Sequence, residues 1–468
     1  MSGTLANLAD WAAGATARDV PADVLALARA QHVAAAGTVR AARDTSTGRA
    51  VLAQAGGEAV ANTAILAYTN LDDYCLSGRT GLGAVPAAWR ATGGTVADML
   101  GHTVVANEVA GRVGLALSLR HQPDRVDTRV PAVASAVVRT RLSGGNGAAM
   151  AAAITGAVRG NEGIDLLGAS GIGGALGLAR GIHQSHAGPD TLAEAAGDGQ
   201  VLPGALAAPG TRWITRTLAI KRWPSTPWGD VAIEAINVIL ERHLRAAEKR
   251  LRADQIDRID IRTGFGPPST EAAAASLQAP WAAAWSVAEA TAVLVALHEL
   301  HPALLEADAL GDKEADARAL VPRVSVMHHW KLSAREAVAT ARGLGPVLGE
   351  AGVATVLRAG QRLVLGRPGA DDLWPLAQER PWAMLGPLRR KGDLADVNVD
   401  DYVHCFPVEV KLYTTRGGWW PERRHAPVGQ GAGAAGVAAS RYGEGGQALL
   451  DADDLGQPAA GLVKALLS

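Results

Sequence analysis

The chain has 468 residues, with 45 Lys and Arg against 46 Asp and Glu and a formal net charge of −1. This length exceeds what one hydrophobic core usually serves, so we expect two domains. The charge balance argues against a nucleic-acid partner and against binding to a membrane surface. The sequence has no apolar run of about 18 residues and no signal-peptide pattern, and its two cysteines cannot form a disulfide framework. We therefore expect a soluble, cytoplasmic protein.

The N-terminal half has the pattern of consecutive helices. Alanine is abundant and β-branched runs are few, which favours closely packed helices. Pro21 lies at the first-turn position of the second predicted helix. Glu108 and Arg112 are four residues apart on one helix face, so we expect a structural ion pair there. Helical periodicity predicts helices over residues 5–12, 22–39, 101–119, 147–159 and 172–182.

Residues 68–86 lie between an apolar run and a predicted helix and carry several polar side chains. They read Tyr-Thr-Asn-Leu-Asp-Asp-Tyr-Cys-Leu-Ser-Gly-Arg-Thr-Gly-Leu-Gly-Ala-Val-Pro. An apolar run precedes them, and residues 87–100 predict another helix. Asp72 and Asp73 therefore lie where a helix gives way to a glycine-rich loop. Paired acids at such a place either cap helices and bind loop amides, which we favour, or form part of a polar pocket.

The second half mixes helices with strands. Residues 219–224 read Ala-Ile-Lys-Arg-Trp-Pro, and a helix is predicted over 229–249. Alternating apolar and polar residues predict a half-buried strand over 256–263. Further strands are predicted over 321–326 and 408–413, and further helices over 279–297 and 334–348.

Motifs that suggest metal, nucleotide or serine-hydrolase sites are weak. Residues 431–436 match G-x-G-x-x-G by spelling but lack the strand, turn and helix that the motif requires. The histidine pairs, such as His298 and His301, lack the spacing that puts two imidazoles on one helix face. Ser170 lies in a G-x-S-x-G pattern that is broken at its last glycine. We therefore expect no metal and no cofactor.

In their order along the chain, the motifs at 70–86 and 219–224 resemble the MmgE/PrpD family, which includes 2-methylcitrate dehydratase, cis-aconitate decarboxylase and related epimerases. The family pattern is Asp-aromatic-Asp-Asp, a His-Pro pair, and a small-residue run into Val-Leu-Pro. Here Asn70 replaces the first acid and Arg79 takes the place of the histidine. Lys221 matches the family's Lys-x-aromatic-Pro motif, and Trp285 with Ser286 fits a later helix.

The resemblance implies a two-domain, α-rich fold. A large all-α helical domain would comprise residues 1–215, completed by 430–468, and a smaller α/β lid domain would comprise 216–429. Residues 331–396, longer than the family connection, are interpreted as an added helical insert. The resemblance also implies a homodimer formed through the helical domain.

The family acts on small polycarboxylic acids, and several polar groups of its pocket are replaced here. An acid, two histidines, a lysine and a tyrosine align with Asn70, Arg79, Gly168, Leu166 and Glu289. Because so many polar groups are lost together, we expect a less polar substrate than a tricarboxylate. Lys221 is retained, and it is expected to anchor a carboxylate or enolate.

The expected site combines retained and replaced groups. Glu289 is the candidate replacement base, Arg79 the candidate anion clamp, and Thr226 an added hydroxyl. The candidate catalytic residues are Lys221, Glu289, Asp72 and Asp73. The candidate substrate-binding residues are Asn70, Tyr74, Arg79, Trp223, Thr226 and Trp285.

Three functions remain open from the sequence. The first is a cofactor-independent lyase or isomerase for dehydration, decarboxylation or proton transfer in specialised metabolism, for which Glu289→Gln or Lys221→Ala abolishes turnover. The second is a natural-product cyclase that folds its substrate in an aromatic cleft, since Trp213, Trp223, Trp228, Trp281 and Trp285 cluster in sequence. The third is a non-catalytic binding protein on the same scaffold.

Overall fold

The structure is a computed structural model that describes residues 2–91, 93–120, 125–161, 164–165, 168–197, 201–264, 267–278, 280–356 and 386–468. The fold is mostly α-helical with small sheets. Its helices are α1 (Ser2–Gly14), α2 (Ala22–Arg43), α3 (Ser46–Gln54), α4 (Glu58–Thr69), α5 (Gly81–Ala88), α6 (Val96–Ala116), α7 (Arg129–Leu142), α8 (Gly147–Gly160), α9 (Gly171–His183), α10 (Leu192–Ala195), α11 (Pro227–Ala247), α12 (Pro267–Ala274), α13 (Trp281–Trp285), α14 (Val287–Leu297), α15 (Glu314–Leu320), α16 (Trp330–Glu350), α17 (Gly433–Tyr442), α18 (Gly446–Asp451) and α19 (Ala459–Leu467). Its strands are β1 (Asp73–Tyr74), β2 (Arg125–Val126), β3 (Ile164–Asp165), β4 (Ala219–Ile220), β5 (Ile256–Thr263), β6 (Val324–His328), β7 (Val408–Thr414) and β8 (Trp419–Arg424).

Short polar side chains begin several of these helices. Thr95 accepts a hydrogen bond from the Asp98 amide, and the Asp98 carboxylate accepts one in return from the Thr95 amide. Asn146 caps α8 and Thr226 caps α11 with a single bond each, accepted from the amides of Ala149 and Gly229. Each cap satisfies a backbone N–H that has no partner inside its helix, so these residues define where the helices start.

Helix α2 lies in the centre of the N-terminal helices, with an almost continuous run of buried residues from Val24 to Val39. It packs against α4, α6 and α17. Gly37 permits the closest of these approaches, because a Cβ atom there would lie 2.7 Å from the backbone of Arg441 and Tyr442. From this helix, Gln31 donates a hydrogen bond to Asp73 of the candidate site.

The largest sheet has the strand order β6-β5-β7-β8. Strand β5 pairs in parallel with β6 and antiparallel with β7, which pairs antiparallel with β8. One face of the sheet packs on α11. Because alternate strand residues point to opposite faces, every second residue of β7 is buried there, namely Val408, Val410 and Leu412.

Two elements predicted as single helices are divided in the structure. The helix predicted over 87–100 is wrong, because α5 ends at Ala88 and α6 begins only after the Thr95 cap. The helix predicted over 279–297 is broken at Ser286, whose extended backbone and side chain cap the start of α14. The strand predicted over 256–263 is confirmed, and the one over 321–326 lies slightly later, at β6.

The C-terminal tail returns to the first helices of the chain. Helix α17 lies along α2, and α19 contacts both α2 and α6. The amide of Val96 donates to the carbonyl of Gln457 at 2.9 Å, which joins the tail to the start of α6. The predicted insert over 331–396 begins with α16, but its residues 357–385 lie outside the described part of the chain. Among the described helices, none has the length and apolar character needed to cross a membrane.

Candidate functional site

The end of α4 turns the chain into the candidate site at Asn70. This residue adopts the left-handed conformation, with φ 47° and ψ 33°, and its amide donates to the carbonyl of Ala67. Asparagine tolerates this conformation better than most residues, which explains its place at the helix end. Its side-chain amide donates to the carbonyl of Ala284 in α13 at 2.9 Å. Asn70 therefore links the loop after α4 to a segment more than 200 residues later.

A two-residue ladder brings Lys221 to this loop. Strands β1 and β4 pair antiparallel, so that Asp73 lies opposite Ile220 and Tyr74 opposite Ala219. The backbone amide of Lys221 then donates to the carbonyl of Asp72 at 3.2 Å. The ladder is short, but it places the Lys221 side chain against Asp72 and Asn70.

The ammonium group of Lys221 is fully engaged. It donates to the carbonyl of Asn70 at 2.7 Å, to Oδ1 of Asn70 at 2.9 Å and to the carbonyl of Ser225 at 2.9 Å. It also lies 2.6 Å from Oδ1 of Asp72, and only 1% of its side chain is exposed. Burial lowers the pKa of Lys221 to about 8, against the opposing effect of Asp72. Since an ammonium has three N–H donors, none is left for a ligand in this arrangement.

Asp72 joins Lys221 to Arg79. Its second oxygen, Oδ2, accepts a hydrogen bond from Nε of Arg79 at 2.5 Å. Burial by itself raises the pKa of Asp72, but the positive charges of Arg79 and Lys221 outweigh it and hold that pKa below its ordinary value. The sequence-predicted residues Asn70, Asp72, Arg79 and Lys221 thus form one buried, charged network.

Asp73 binds the loop and the start of α5. Its Oδ1 accepts from the amide of Gly81 at 3.1 Å, and its Oδ2 accepts from Nε2 of Gln31 at 3.0 Å. Burial, followed by the charge of Asp72, raises the pKa of Asp73 to about 6. The favoured interpretation, that an acid of this pair binds loop amides, is confirmed for Asp73.

Arg79 lies beside Trp285. The guanidinium carbon is 5.8 Å from the centre of the indole ring, and the Arg79 side chain is 15% exposed. Within the described residues, Nη1 and Nη2 of Arg79 have no hydrogen-bond partner, because its only side-chain bond runs from Nε to Asp72. Arg79 therefore retains two donor groups next to an aromatic surface.

Other predicted binding residues have structural partners. The indole N–H of Trp223 donates to Glu234 at 2.9 Å, and Thr226 caps α11. The ring of Tyr74 meets His404 edge-on at 4.7 Å, and its hydroxyl is buried without a partner among the described residues. Burial raises the pKa of Tyr74 well above its ordinary value.

Glu289 lies apart from this network. It is half-buried in the first turn of α14, where its backbone amide donates to the Ser286 hydroxyl at 3.0 Å. Burial raises its pKa, and its electrostatic neighbours are Arg318 and Glu271. No contact between Glu289 and Lys221 or Arg79 occurs among the described residues. Leu166, at the family's lysine position, lies outside the described residues.

Sequence reasoning missed two charged residues of the site. Asp230 accepts hydrogen bonds from the amides of Arg222 and Trp223, both at 2.8 Å, and burial raises its pKa to about 6. The sequence does contain an indication of Asp230, because this acid lies in the first turn of the helix that Thr226 caps. Arg441 donates to the carbonyl of Asp72 at 3.4 Å across 369 residues, and no local pattern indicates that contact.

The five tryptophans of the predicted aromatic cleft have separate partners. Trp213 meets Trp11, Trp228 meets Phe406, and Trp281 meets Tyr68. Arg222 lies over the ring of Trp223, and Arg79 over that of Trp285. Their described contacts therefore do not join them into one aromatic wall.

Two grooves are open on the described surface away from this network. One, of about 400 Å³, is lined by Trp11 and Trp213, and the other, of about 160 Å³, is lined by Arg139 and His186. No cluster of three or more His, Cys, Asp or Glu side chains suited to a metal ion occurs among the described residues. The motif residues Asn70, Asp72, Arg79 and Lys221 therefore lie in the buried network and do not line either groove.

Comparison with known proteins leaves the family open. No family model matches this chain, and no curated protein matches it. The resemblance to the MmgE/PrpD family thus rests on the order of the motifs along the sequence.

Proposed function

We propose that this chain is a divergent MmgE/PrpD-type enzyme, a cofactor-independent lyase or isomerase that acts on a carboxylic acid less polar than a tricarboxylate. The observation that supports the proposal is the convergence of Asn70, Asp72, Arg79, Lys221 and Trp285, which come from three distant segments. These are the positions at which the family motifs were recognised. A chance match of separate motifs gives no reason for them to meet at one buried centre.

The proposal includes the family's architecture. Residues 1–215 with 430–468 form the helical domain, residues 216–429 form the α/β lid, and the chain is a homodimer. Sedimentation of the purified protein tests the last point, with an expected mass of twice 48.1 kDa.

In the proposed mechanism, Arg79 binds the substrate carboxylate and stabilises the negative charge that develops when the neighbouring carbon loses a proton. Glu289 is the candidate base for that proton, since its carboxylate is half-buried, has a raised pKa and has no described hydrogen-bond partner, and this role requires the substrate to extend from Arg79 to Glu289, which lies apart from the network. Lys221 positions the loop that carries Asp72 and Arg79, because its own donors are engaged there.

Proton exchange tests the proposal directly. We expect the protein to exchange the α-proton of a bound carboxylic acid with deuterium from heavy water, which nuclear magnetic resonance measures. Glu289→Gln should slow this exchange by about a hundredfold or more, the usual contribution of a general base. Glu299→Gln, a matched change at an exposed position nearby, should leave the rate unchanged. Equal rates for the two variants would remove Glu289 from the mechanism.

A non-catalytic binding protein is the second candidate. The full engagement of Lys221 and the burial of Asp72 and Asp73 favour it, because neither acid nor lysine is free to transfer a proton to a ligand. An acid that binds tightly but never exchanges its α-proton would support this candidate over the enzyme.

A further inference from the structure

The candidate site holds equal numbers of positively and negatively charged side chains. Three cations, Lys221, Arg79 and Arg441, lie among three carboxylates, Asp72, Asp73 and Asp230. A ligand therefore meets a centre with no surplus of positive charge. This differs from what a substrate with two or three carboxylates requires, because each added negative charge needs its own cation.

The three cations differ in how many of their N–H donors already bond to the protein. Lys221 gives all its donors to the protein. Arg441 directs its guanidinium at the loop, with bonds to the carbonyls of Leu71 at 3.3 Å and Asp72 at 3.4 Å. Arg79 has both Nη groups without a described partner. Two parallel N–H groups of one arginine suit a single carboxylate.

The surroundings of Arg79 indicate the rest of the ligand. Trp285 closes one side of the guanidinium and is 9% exposed. Trp281, at the other end of α13, is four residues earlier and contacts Tyr68. The two indoles of α13 therefore contact different partners, Tyr68 of α4 and Arg79 of the loop that follows it. Since Arg79 and Trp285 are both largely buried, a ligand that contacts both has to be small or flat.

We propose that the site takes a small monocarboxylic acid, with its single carboxylate on the Nη groups of Arg79 and its flat, unsaturated or aromatic body against Trp285. This inference rests on the proposed function for the location of the site. It goes further by naming the substrate class, and it holds whether or not the bound acid is turned over.

Calorimetric titration with three matched probes tests the proposal. Cinnamate carries one carboxylate on a flat body, cinnamamide is its uncharged counterpart, and benzylidenemalonate adds a second carboxylate. We expect cinnamate to bind about tenfold tighter or more than either of the other two probes. A hydrogen bond between two charged groups contributes enough binding free energy for a difference of that size. Tighter binding of benzylidenemalonate or 2-methylcitrate, or no binding of cinnamate at millimolar concentration, would overturn the proposal.

Variants assign the effect to Arg79. Arg79→Gln should remove the preference for cinnamate over cinnamamide, whereas Arg416→Gln, at an exposed turn, should retain it. Because Arg79 also pairs with Asp72, its replacement can disturb the fold, and Trp285→Leu is a second variant that leaves this ion pair intact. Trp285→Leu should weaken the binding of cinnamate and of cinnamamide equally. An unchanged preference in Arg79→Gln would refute the assignment.

The outcomes separate this inference from the proposed function. Cinnamate binding through Arg79 without α-proton exchange of any acid would keep the substrate class and reject the enzyme. α-Proton exchange of a dicarboxylic acid but of no monocarboxylic acid would keep the enzyme and reject the substrate class.

Discussion

The contact between Asp72 and Lys221 defines the chemistry available to individual residues at this site. Both side chains are almost completely buried, and each depends on the other for its charge. Lys221 and Asp72 were identified from their motifs, but the sequence does not indicate that Lys221 gives every donor to the protein. We therefore assign Lys221 a positioning role in place of the expected role as a substrate anchor.

Lys221→Ala should lower the free energy of unfolding by about 3–5 kcal/mol, because it leaves the charge of Asp72 buried with one partner fewer. Urea denaturation measures this change. Lys249→Ala, at an exposed position, should stay within about 0.5 kcal/mol of the parent protein. A Lys221→Ala protein as stable as the parent would show that the ammonium is free for substrate.

The buried acids predict a pH dependence of stability. Burial raises the pKa of Asp230 from 3.8 to about 6, so the folded state binds its proton more tightly than the unfolded state does. The stability that this proton contributes is present below pH 3.8 and is lost as the pH rises to about 6. Each pKa unit corresponds to about 1.4 kcal/mol.

Asp230→Asn retains an oxygen that accepts from the amides of Arg222 and Trp223 but removes the titration. We expect the variant to gain stability relative to the parent as the pH rises through that window. Urea denaturation at several pH values compares the two proteins. A difference that is constant with pH would contradict the raised pKa of Asp230.

Among the elements, α2 and α17 approach closely at Gly37. This contact brings Arg441 to the carbonyls of the loop after α4. Glycine in the middle of a helix usually weakens it, so its presence there indicates a packing requirement. The long helices were predictable because their apolar residues recur with helical period. The breaks at Ser286 and before Thr95 were not predicted, because each depends on one capping side chain within an otherwise apolar stretch.

Gly37→Ala should destabilise the protein by about 1–3 kcal/mol, since the added methyl group has to displace the backbone of α17. Gly436→Ala is the matched control, because it lies in α17 with open space around it. There the change should stabilise the protein by up to about 1 kcal/mol through helix propensity. Thermal denaturation distinguishes the two, and equal shifts would contradict the described packing of α2 on α17.

In the whole molecule, polar and apolar contacts join segments that are far apart in the chain. Glu306 accepts hydrogen bonds from the hydroxyls of Ser46 at 3.0 Å and Thr47 at 2.9 Å, at the start of α3. The last helix, α19, packs on α2 and α6. Stability near either end of the chain therefore depends on residues of the other end.

Leu466→Ala in α19 should lower the free energy of unfolding by about 2–5 kcal/mol, because the side chain is completely buried. The half-buried neighbour Leu467 is the control, and its replacement by alanine should cost less. Denaturant unfolding followed by tryptophan fluorescence reports the change. A separate early transition in place of one lower midpoint would show that α19 unfolds independently.

By itself, the sequence determined the helical character of the chain, the strand over 256–263 and the pairing of Glu108 with Arg112 at 2.6 Å. It also indicated part of the candidate site, namely Asn70, Asp72, Arg79 and Lys221. These features follow from local spacing, since period and helix-face geometry repeat along one element. Only the tertiary structure decided which donors are used, as with Lys221 and Arg79, and that Glu289 lies apart from them. Hydrogen-bond partners depend on how distant elements pack, and a pattern along the chain does not record that packing.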